Sequence, residues 1–306
     1  MATFMIYSSK EKQALELITA AKSVGAAAVK AVCINDEAQA NALAAAGAEV
    51  LLINNDAISL ADVAAVASAL GQVAAQLGAD TILLSSDRRG KEAAGRLAAI
   101  LDAGCLTDIS AIKANGDKIE CQRNALGGAT VATQYIASDK KIIAIRPKTF
   151  DAPGAGSGSV NAMTVDVKAS AVKLIETKTR GGDSVDIEAA EALVVVGQGL
   201  NSKDDLPAVE ALAKKLGGEV ACSKPVATDK KWLSEERIVG LSGKKCKPEL
   251  AIILGISGQV QFTVGIRDAK VIVAVNSDEN ATINGMADYI LTADMHDVIK
   301  EMNSSL

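Results

Sequence analysis

Two doubly wound α/β lobes with mainly parallel sheets are predicted by three features of the sequence. Short Val/Ile/Leu-rich runs alternate with Ala/Leu-rich helical stretches, the composition is 49% apolar but only 2% aromatic, and the chain has 306 residues. A single core stops growing at roughly 250–300 residues, so a chain of this length is expected to form two. With few aromatic rings available, Ala, Val, Leu and Ile must fill the interior, which suits helices laid on buried parallel strands.

Met1–Tyr7 reads as a first strand rather than a charged leader followed by an apolar run. Residues 11–24 place Ala14, Leu15, Leu17, Ile18, Ala21 and Val24 on one helical stripe that stops at Gly25. Similar helical stretches stop at Gly47, Gly78 and Gly104, and between them Ala28–Ile34, Glu49–Asn54 and Thr81–Ser86 read as buried strands. The strand–helix alternation gives the doubly wound lobe. From Cys105 to Ser184 the rhythm changes: Lys118–Arg123 and Lys141–Arg146 read as strands without helices between them, expected to finish the lobe in antiparallel fashion. Ala152–Ser159, APGAGSGS, is expected to be flexible. After the polar segment Lys178–Asp186 comes a second α/β lobe. It contains strand Leu193–Val196, a helix starting near Pro207 and stopping at Gly217-Gly218, then strands around Glu219–Cys222, Leu250–Leu254 and Val271–Val275. The expected domains are 1–187 and 188–306.

Composition removes several function classes. A net charge of −5 provides no broad basic field for nucleic acid or anionic membranes, and scarce aromatics offer no base-stacking surface. No apolar run reaches the roughly 18 residues of a membrane span, so no membrane insertion and a cytoplasmic location are expected. Cys33, Cys105, Cys121, Cys222 and Cys246 are widely spaced without a CxxC pair, which disfavours a disulfide framework or a zinc site. His296 is the one histidine, too few for a multi-His metal site or triad chemistry. It lies on an expected C-terminal helix and reads as a solvated or packing residue, and Cys222 as a small buried apolar one.

Among the glycine-rich turns, Gly240-Leu241-Ser242-Gly243-Lys244-Lys245 lacks the spacing and the following Ser/Thr of a phosphate-binding Walker loop. Gly197-Gln198-Gly199 follows a strand, but Ser202 stands where a dinucleotide fingerprint needs its third glycine. The strand, turn and helix over residues 250–265 are more informative. The small residues of Gly255-Ile256-Ser257-Gly258 let a ligand approach the backbone, and free N–H groups at the following helix favour an anion. Strand Val271–Val275 then delivers Asn276 and Asp278 at its carboxyl end, where ligands of open α/β sheets gather. By residue pattern alone, ordinary βα turns explain these features equally well.

Several pieces in register add to this reading: VVVGQGL at 194–200, ACSKPVATD at 221–229, VGLSG at 239–243, PELAIILGISGQVQ at 248–261, VIVAVNSD at 271–278 and ADYILTAD at 287–294. Through them the C-terminal lobe resembles the FAD-binding domain of electron-transfer flavoprotein alpha subunits over almost its whole length. The first lobe matches more loosely, through SDRRGKEAAGRLAAIL at 86–101, Leu106-Thr107-Asp108 and Thr149-Phe150-Asp151-Ala152. The Trp232–Glu236 region and the CSKP run resemble the branch associated with anaerobic acyl-CoA or carnitine-type metabolism.

The resemblance implies non-covalent FAD on the second lobe and a first lobe that packs against a smaller beta subunit in a heterodimer. By motif position, Ser223 and Lys224 lie near the flavin, Val239, Gly240, Leu241 and Ser242 form a second contacting turn, and Ser257, Gly258, Gln259, Val260, Gln261 and Phe262 border the flavin or its phosphates. Asn276, Asp294 and Met295 contact the adenosine side, and Gln198 occupies a further contact position. No residue is assigned general acid–base work or metal ligation. The chain departs from the family pattern where Lys224 and Gln198 replace arginine, Phe262 replaces histidine and Leu241 replaces glutamine. Lys224 keeps a charge but not the planar guanidinium fork, and Phe262 offers no side-chain hydrogen bond.

The expected function is therefore FAD-mediated electron transfer from a dehydrogenase or NADH-linked donor to an acceptor such as an acyl-CoA dehydrogenase or another flavoprotein. A bifurcating variant would hold a second FAD on the beta subunit. The alternative is a non-redox nucleotide-binding or assembly subunit of the same fold, which bound yellow chromophore distinguishes from the carrier. A self-sufficient nicotinamide dehydrogenase ranks lower, because the glycine fingerprint is incomplete.

Overall fold

The computed structural model describes residues 3–128, 130–167, 172, 174–176 and 185–306. The chain divides into two compact units, Met1–Thr177 and Lys178–Leu306. Most of the polar segment expected between the lobes lies outside the described residues.

The first unit opens with β1 (Phe4–Tyr7), α1 (Glu11–Ser23), β2 (Val29–Ile34), α2 (Glu37–Ala45) and β3 (Glu49–Ile53). There follow α3 (Val63–Leu77), β4 (Thr81–Ser85), α4 (Arg88–Leu101), β5 (Gly104–Asn115), β6 (Lys118–Ala125), β7 (Thr130–Gln134), β8 (Lys141–Ile145) and β9 (Ser159–Ala162). The strands form one sheet in the order β7-β6-β5-β8-β4-β1-β2-β3-β9. Side chains alternate across it, as a period of two requires. Met5 and Tyr7 join the cluster of Val66, Leu70 and Leu97 from α3 and α4, whereas Phe4 and Ile6 join Leu17, Ile18 and Leu43 from α1 and α2. Each fully buried Val, Leu or Ile contributes roughly 1.5–3 kcal/mol, so two such layers hold the sheet from both faces.

Three details of this unit differ from the sequence expectation. The fourth helix stops at Leu101, where Asp102 adopts the left-handed conformation (φ 49°), and Gly104 opens β5 rather than ending the helix. Strand β6 is antiparallel as expected, pairing with β5 and with β7, which the sequence reading did not place, but β8 inserts between β4 and β5 and runs parallel to both. The glycine-rich stretch 152–159 is docked rather than loose. Gly156 N–H donates to the Ala45 carbonyl at 2.7 Å, Ser159 N–H to the Ala48 carbonyl at 3.3 Å, and the chain continues as β9 beside β3. Glycine is what allows this approach, since a Cβ on Gly158 would lie 2.0 Å from the Ala48 carbonyl oxygen.

The second unit consists of β10 (Ala192–Val196), α5 (Leu206–Lys215), β11 (Glu219–Cys222), α6 (Lys224–Thr228), β12 (Leu250–Leu254), α7 (Val260–Thr263), β13 (Val271–Asn276), β14 (Tyr289–Thr292) and α8 (Met295–Ser305). Its five strands are all parallel, in the order β11-β10-β12-β13-β14. Val194 and Val196 face Leu206, Val209, Leu212 and Ile299, while Leu193 and Val195 face Ile187, Phe262, Ile266 and Ile283. Strand β10 is buried along its whole length, which explains why ALVVV reads as a continuous apolar run rather than an alternating one.

Four cysteines, Cys33, Cys121, Cys222 and Cys246, are buried and Cys105 is partly so, and all five are free thiols. Burial pushes Cys33 and Cys222 up to about 12 and Cys121 up to about 11. No helix among the described residues is long and apolar enough to cross a membrane.

Candidate cofactor-binding site

Because the second sheet is wholly parallel, the carboxyl ends of its five strands lie along one edge. The chain leaves β10 toward β11 on one side and returns to lay β12 on the other, and the crevice outside such a reversal is where open α/β sheets take ligands. Gln198 follows β10, Ser223 and Lys224 follow β11, residues 257–262 follow β12, Asn276 ends β13, and Asp294 and Met295 follow β14. The turn at 239–242 joins them: Val239 N–H donates to the Cys222 carbonyl at 2.9 Å and Leu241 N–H to the Gln261 carbonyl at 2.7 Å. All the residues singled out by sequence thus come to the same edge of one sheet.

At the reversal the two turns touch through backbone. A Cβ on Gly197 would lie 2.3 Å from the Gly255 carbonyl oxygen, so only glycine permits the turns after β10 and β12 to close on each other. The incomplete dinucleotide fingerprint therefore has a structural use in loop packing. Beyond Gly255, the Ser257 carbonyl accepts from Thr282 Oγ1 at 2.7 Å and from Ile283 N–H at 3.0 Å. Gly258 has φ 89°, and a Cβ there would meet Ile283 N at 2.2 Å. Asn276 donates through Nδ2 to the Ile256 carbonyl at 2.9 Å, pinning the same turn from its other side. Among the described residues no protein group accepts from the backbone N–H groups of Ser257, Gly258, Gln259, Val260 or Gln261. Consecutive donors on an anchored turn form a cradle for an anionic group.

The side chains divide into two sets. Gln198, Lys224, Leu241, Ser242, Ser257, Gln259, Val260, Gln261 and Asp294 are exposed. Phe262 is 7% exposed and its ring belongs to the core with Val239, Ile253, Ile256 and Ile266. Met295 is buried as well, under the turn after β12: a Cβ on Gly255 would lie 2.8 Å from its sulfur.

Lys230, Trp232, His296 and Asp205, none of them assigned to the site from sequence, shape this edge. Lys230 reaches across to the turn after β10, with Nζ 2.7 Å from the Leu200 carbonyl and 3.3 Å from the Gln198 carbonyl. The same ammonium stands 4.2 Å from the centroid of the Trp232 ring, where the ring face attracts a cation. His296, expected to be a solvated or packing residue, instead lies between two carboxylates, Nδ1 2.9 Å from Asp294 and Nε2 3.2 Å from Asp205. The hydrogen bond to Asp294 and then Asp205 raise the imidazole pKa against partial burial, and the hydrogen bonds of Asp294 with His296, backbone N–H first, hold that carboxyl below its ordinary value. The only sequence signal for this set is the Asp-x-His spacing at 294–296, which also places Asp294 as the N-cap of α8. Lys244, from the turn that lacks Walker-loop spacing, is paired with Glu188 at 3.3 Å and Glu236 at 3.7 Å.

Comparison with known proteins bears on both units. Residues 186–267 match the family model described as the electron transfer flavoprotein FAD-binding domain, and residues 10–170 match the electron transfer flavoprotein domain. The protein FixB of Salmonella typhimurium is 33% identical over 306 residues, covering 98% of this chain and 97% of its own length. The protein FixB of Escherichia coli O17:K52:H18 is 34% identical over 308 residues at the same coverage. A thiamin diphosphate-dependent enzyme of Mycobacterium smegmatis is similar in structure over 97% of this chain and 54% of its own, at 11% identity and a TM-score of 0.25, which carries no argument.

Proposed function

From the premise that this chain belongs to the electron transfer flavoprotein alpha-subunit family and carries the family's FAD-binding domain, we propose that it holds FAD along the carboxyl edge of its second sheet and passes electrons between redox partners. The observation that carries this reading is the convergence of all the family-matched contact positions on one edge, around the reversal between β10 and β12. The residues present fit the cofactor: the N–H groups of residues 257–261 suit its pyrophosphate, and glycines at 197, 255 and 258 leave room for the backbones to close. In this reading residues 188–306 bind FAD and residues 1–187 pack against a beta subunit.

Bound FAD supplies reversible electron storage, and the chain's residues position and tune it. Lys224, exposed at the start of α6, sets a fixed positive charge beside the flavin, where negative charge accumulates on reduction. The hydroxyls of Ser223, Ser242 and Ser257 lie on the turns that border the ring and its phosphates. Lys230 holds the Gln198 turn by two of its carbonyls, which restrains that turn at the edge of the crevice. Because Phe262 is turned into the core, hydrogen bonding near it comes from the α7 backbone rather than from that side chain.

The finer reading places the heterodimer in the cytoplasm, accepting electrons from a dehydrogenase or an NADH-linked donor in acyl-CoA or carnitine-type metabolism, and delivering them to an acyl-CoA dehydrogenase or another flavoprotein. The test is the visible spectrum and FAD-to-protein ratio of this chain co-expressed with its neighbouring beta subunit. About one FAD per heterodimer, bleached by dithionite, is expected of a carrier, and about two would indicate bifurcation. A folded complex without flavin would sink the carrier and favour a non-redox assembly subunit.

A further inference from the structure

We propose, resting on the reading that FAD lies along this edge, that His296 is a positioning residue: as an imidazolium it clasps Asp205 to Asp294 and so sets how firmly the adenosine end of the cofactor is held. The proton count follows from the geometry. Nδ1 is 2.9 Å from Asp294 Oδ1 and Nε2 is 3.2 Å from Asp205 Oδ2. Ionised carboxylates only accept, and a neutral imidazole has one N–H, so making both bonds requires both ring nitrogens to be protonated.

The two carboxylates belong to different loops. Asp205, 91 residues before His296, closes the turn that follows β10, and the same Oδ2 accepts from Ser202 N–H at 3.1 Å. Asp294 closes the turn that follows β14, and its Oδ1 also accepts from His296 N–H at 2.7 Å. Between these loops stands Gly255: a Cβ there would lie 2.8 Å from both the Gly199 Cα and the Met295 sulfur. Contacts therefore run from the turn after β10 through Gly255 to Met295, and the imidazole returns them to the loop where they began. The ring encloses the side of the crevice where Asp294 and Met295 lie, so loosening the clasp frees the loops that would grip the nucleotide.

Apart from Asp205 and Asp294, the charges around the imidazole balance. Helix α8 packs against α5 and β13. Strand β13, VIVAVN, has no titratable side chain. Helix α5 carries Glu210, Lys214 and Lys215, of which Lys215 reaches the Asn303 carbonyl near the far end of α8. Lys203 and Asp204 precede Asp205, while Asp297, Lys300 and Glu301 lie along α8 itself. Asp294 and Asp205 both raise the imidazole pKa. The folded-state value is thus above the unfolded one, so the clasp is fully formed below the ordinary histidine value of about 6.5 and is lost as pH rises through the raised value.

The sole histidine makes the test direct, since one imidazole resonance reports this residue without assignment work. In the full-length chain, proton NMR should place its midpoint above about 6.5, and Asp205→Asn should move it down. In the heterodimer with its beta subunit, FAD binding, followed by flavin fluorescence, should weaken about three- to tenfold between about pH 6 and about pH 9. That dependence should vanish in His296→Gln. A midpoint at or below the ordinary value, or one unmoved by Asp205→Asn, overturns the clasp. Tight FAD binding with the same pH profile in wild type and His296→Gln also overturns it, and leaves the cofactor reading intact. FAD absent from the wild-type complex at every pH overturns the cofactor reading and the clasp's role together.

Discussion

Lys224 shows what a single residue can be asked to do at this edge. It lies directly after β11 and is exposed, so its charge acts through partly solvated space and its influence is moderate. Lys224→Ala should lower the flavin reduction potential by on the order of tens of millivolts, as the reduced ring loses a nearby cation. Redox titration of the purified heterodimer checks this, and an unchanged or higher potential would remove Lys224 from the site. Contiguous motifs made the turn residues legible: Ser223-Lys224 and Ser257–Phe262 follow strands that announce themselves by apolar runs. The outward or inward turn of one side chain was not legible, and Phe262 lies in the core because Val239, Ile253 and Ile266 offer it an apolar pocket. Nor could the sequence bring His296 to Asp205, because nothing local specifies a contact made between two loop ends by sheet order.

At the scale of elements, periodicity located most strands of both units and helices α1 and α5 within a residue or two, because buried parallel strands and amphipathic helices have clear patterns. It did not mark β5, β7 or β14 as strands. The insertion of β8 between β4 and β5 was hidden, since the run KIIAI looks the same beside any neighbour. Strand β9 was hidden for a different reason: all four of its residues are exposed, and it is held by backbone pairing with β3 rather than by an apolar face. The docking of residues 156–162 therefore depends on the glycines before it. Gly158→Ala forces a Cβ against the Ala48 carbonyl and should cost roughly 1–3 kcal/mol at that docking. Limited proteolysis should cut within residues 152–162 faster in the variant while far-UV circular dichroism stays unchanged. Equal cleavage rates would mean that the segment is held by something other than this contact.

At the scale of the whole molecule, each unit has its own pair of apolar layers, so each has the means to unfold as a cooperative body. Scanning calorimetry should resolve two transitions, and excess FAD should raise only the one belonging to Lys178–Leu306. At a free concentration of 100 times Kd the added stability is about 2.7 kcal/mol. One merged transition that shifts as a whole would show that the units unfold together. The buried thiols bear on how such questions can be pursued. Burial holds the Cys33 and Cys222 thiols protonated at neutral pH and away from solvent, so both present little to an alkylating reagent. Cys105, which is only partly buried, is the native thiol such a reagent reaches first and the one to replace. A single cysteine introduced on the surface of each unit would then be the fast-reacting pair, ready to carry spin labels or dyes that read the distance between the two units as redox partners come and go.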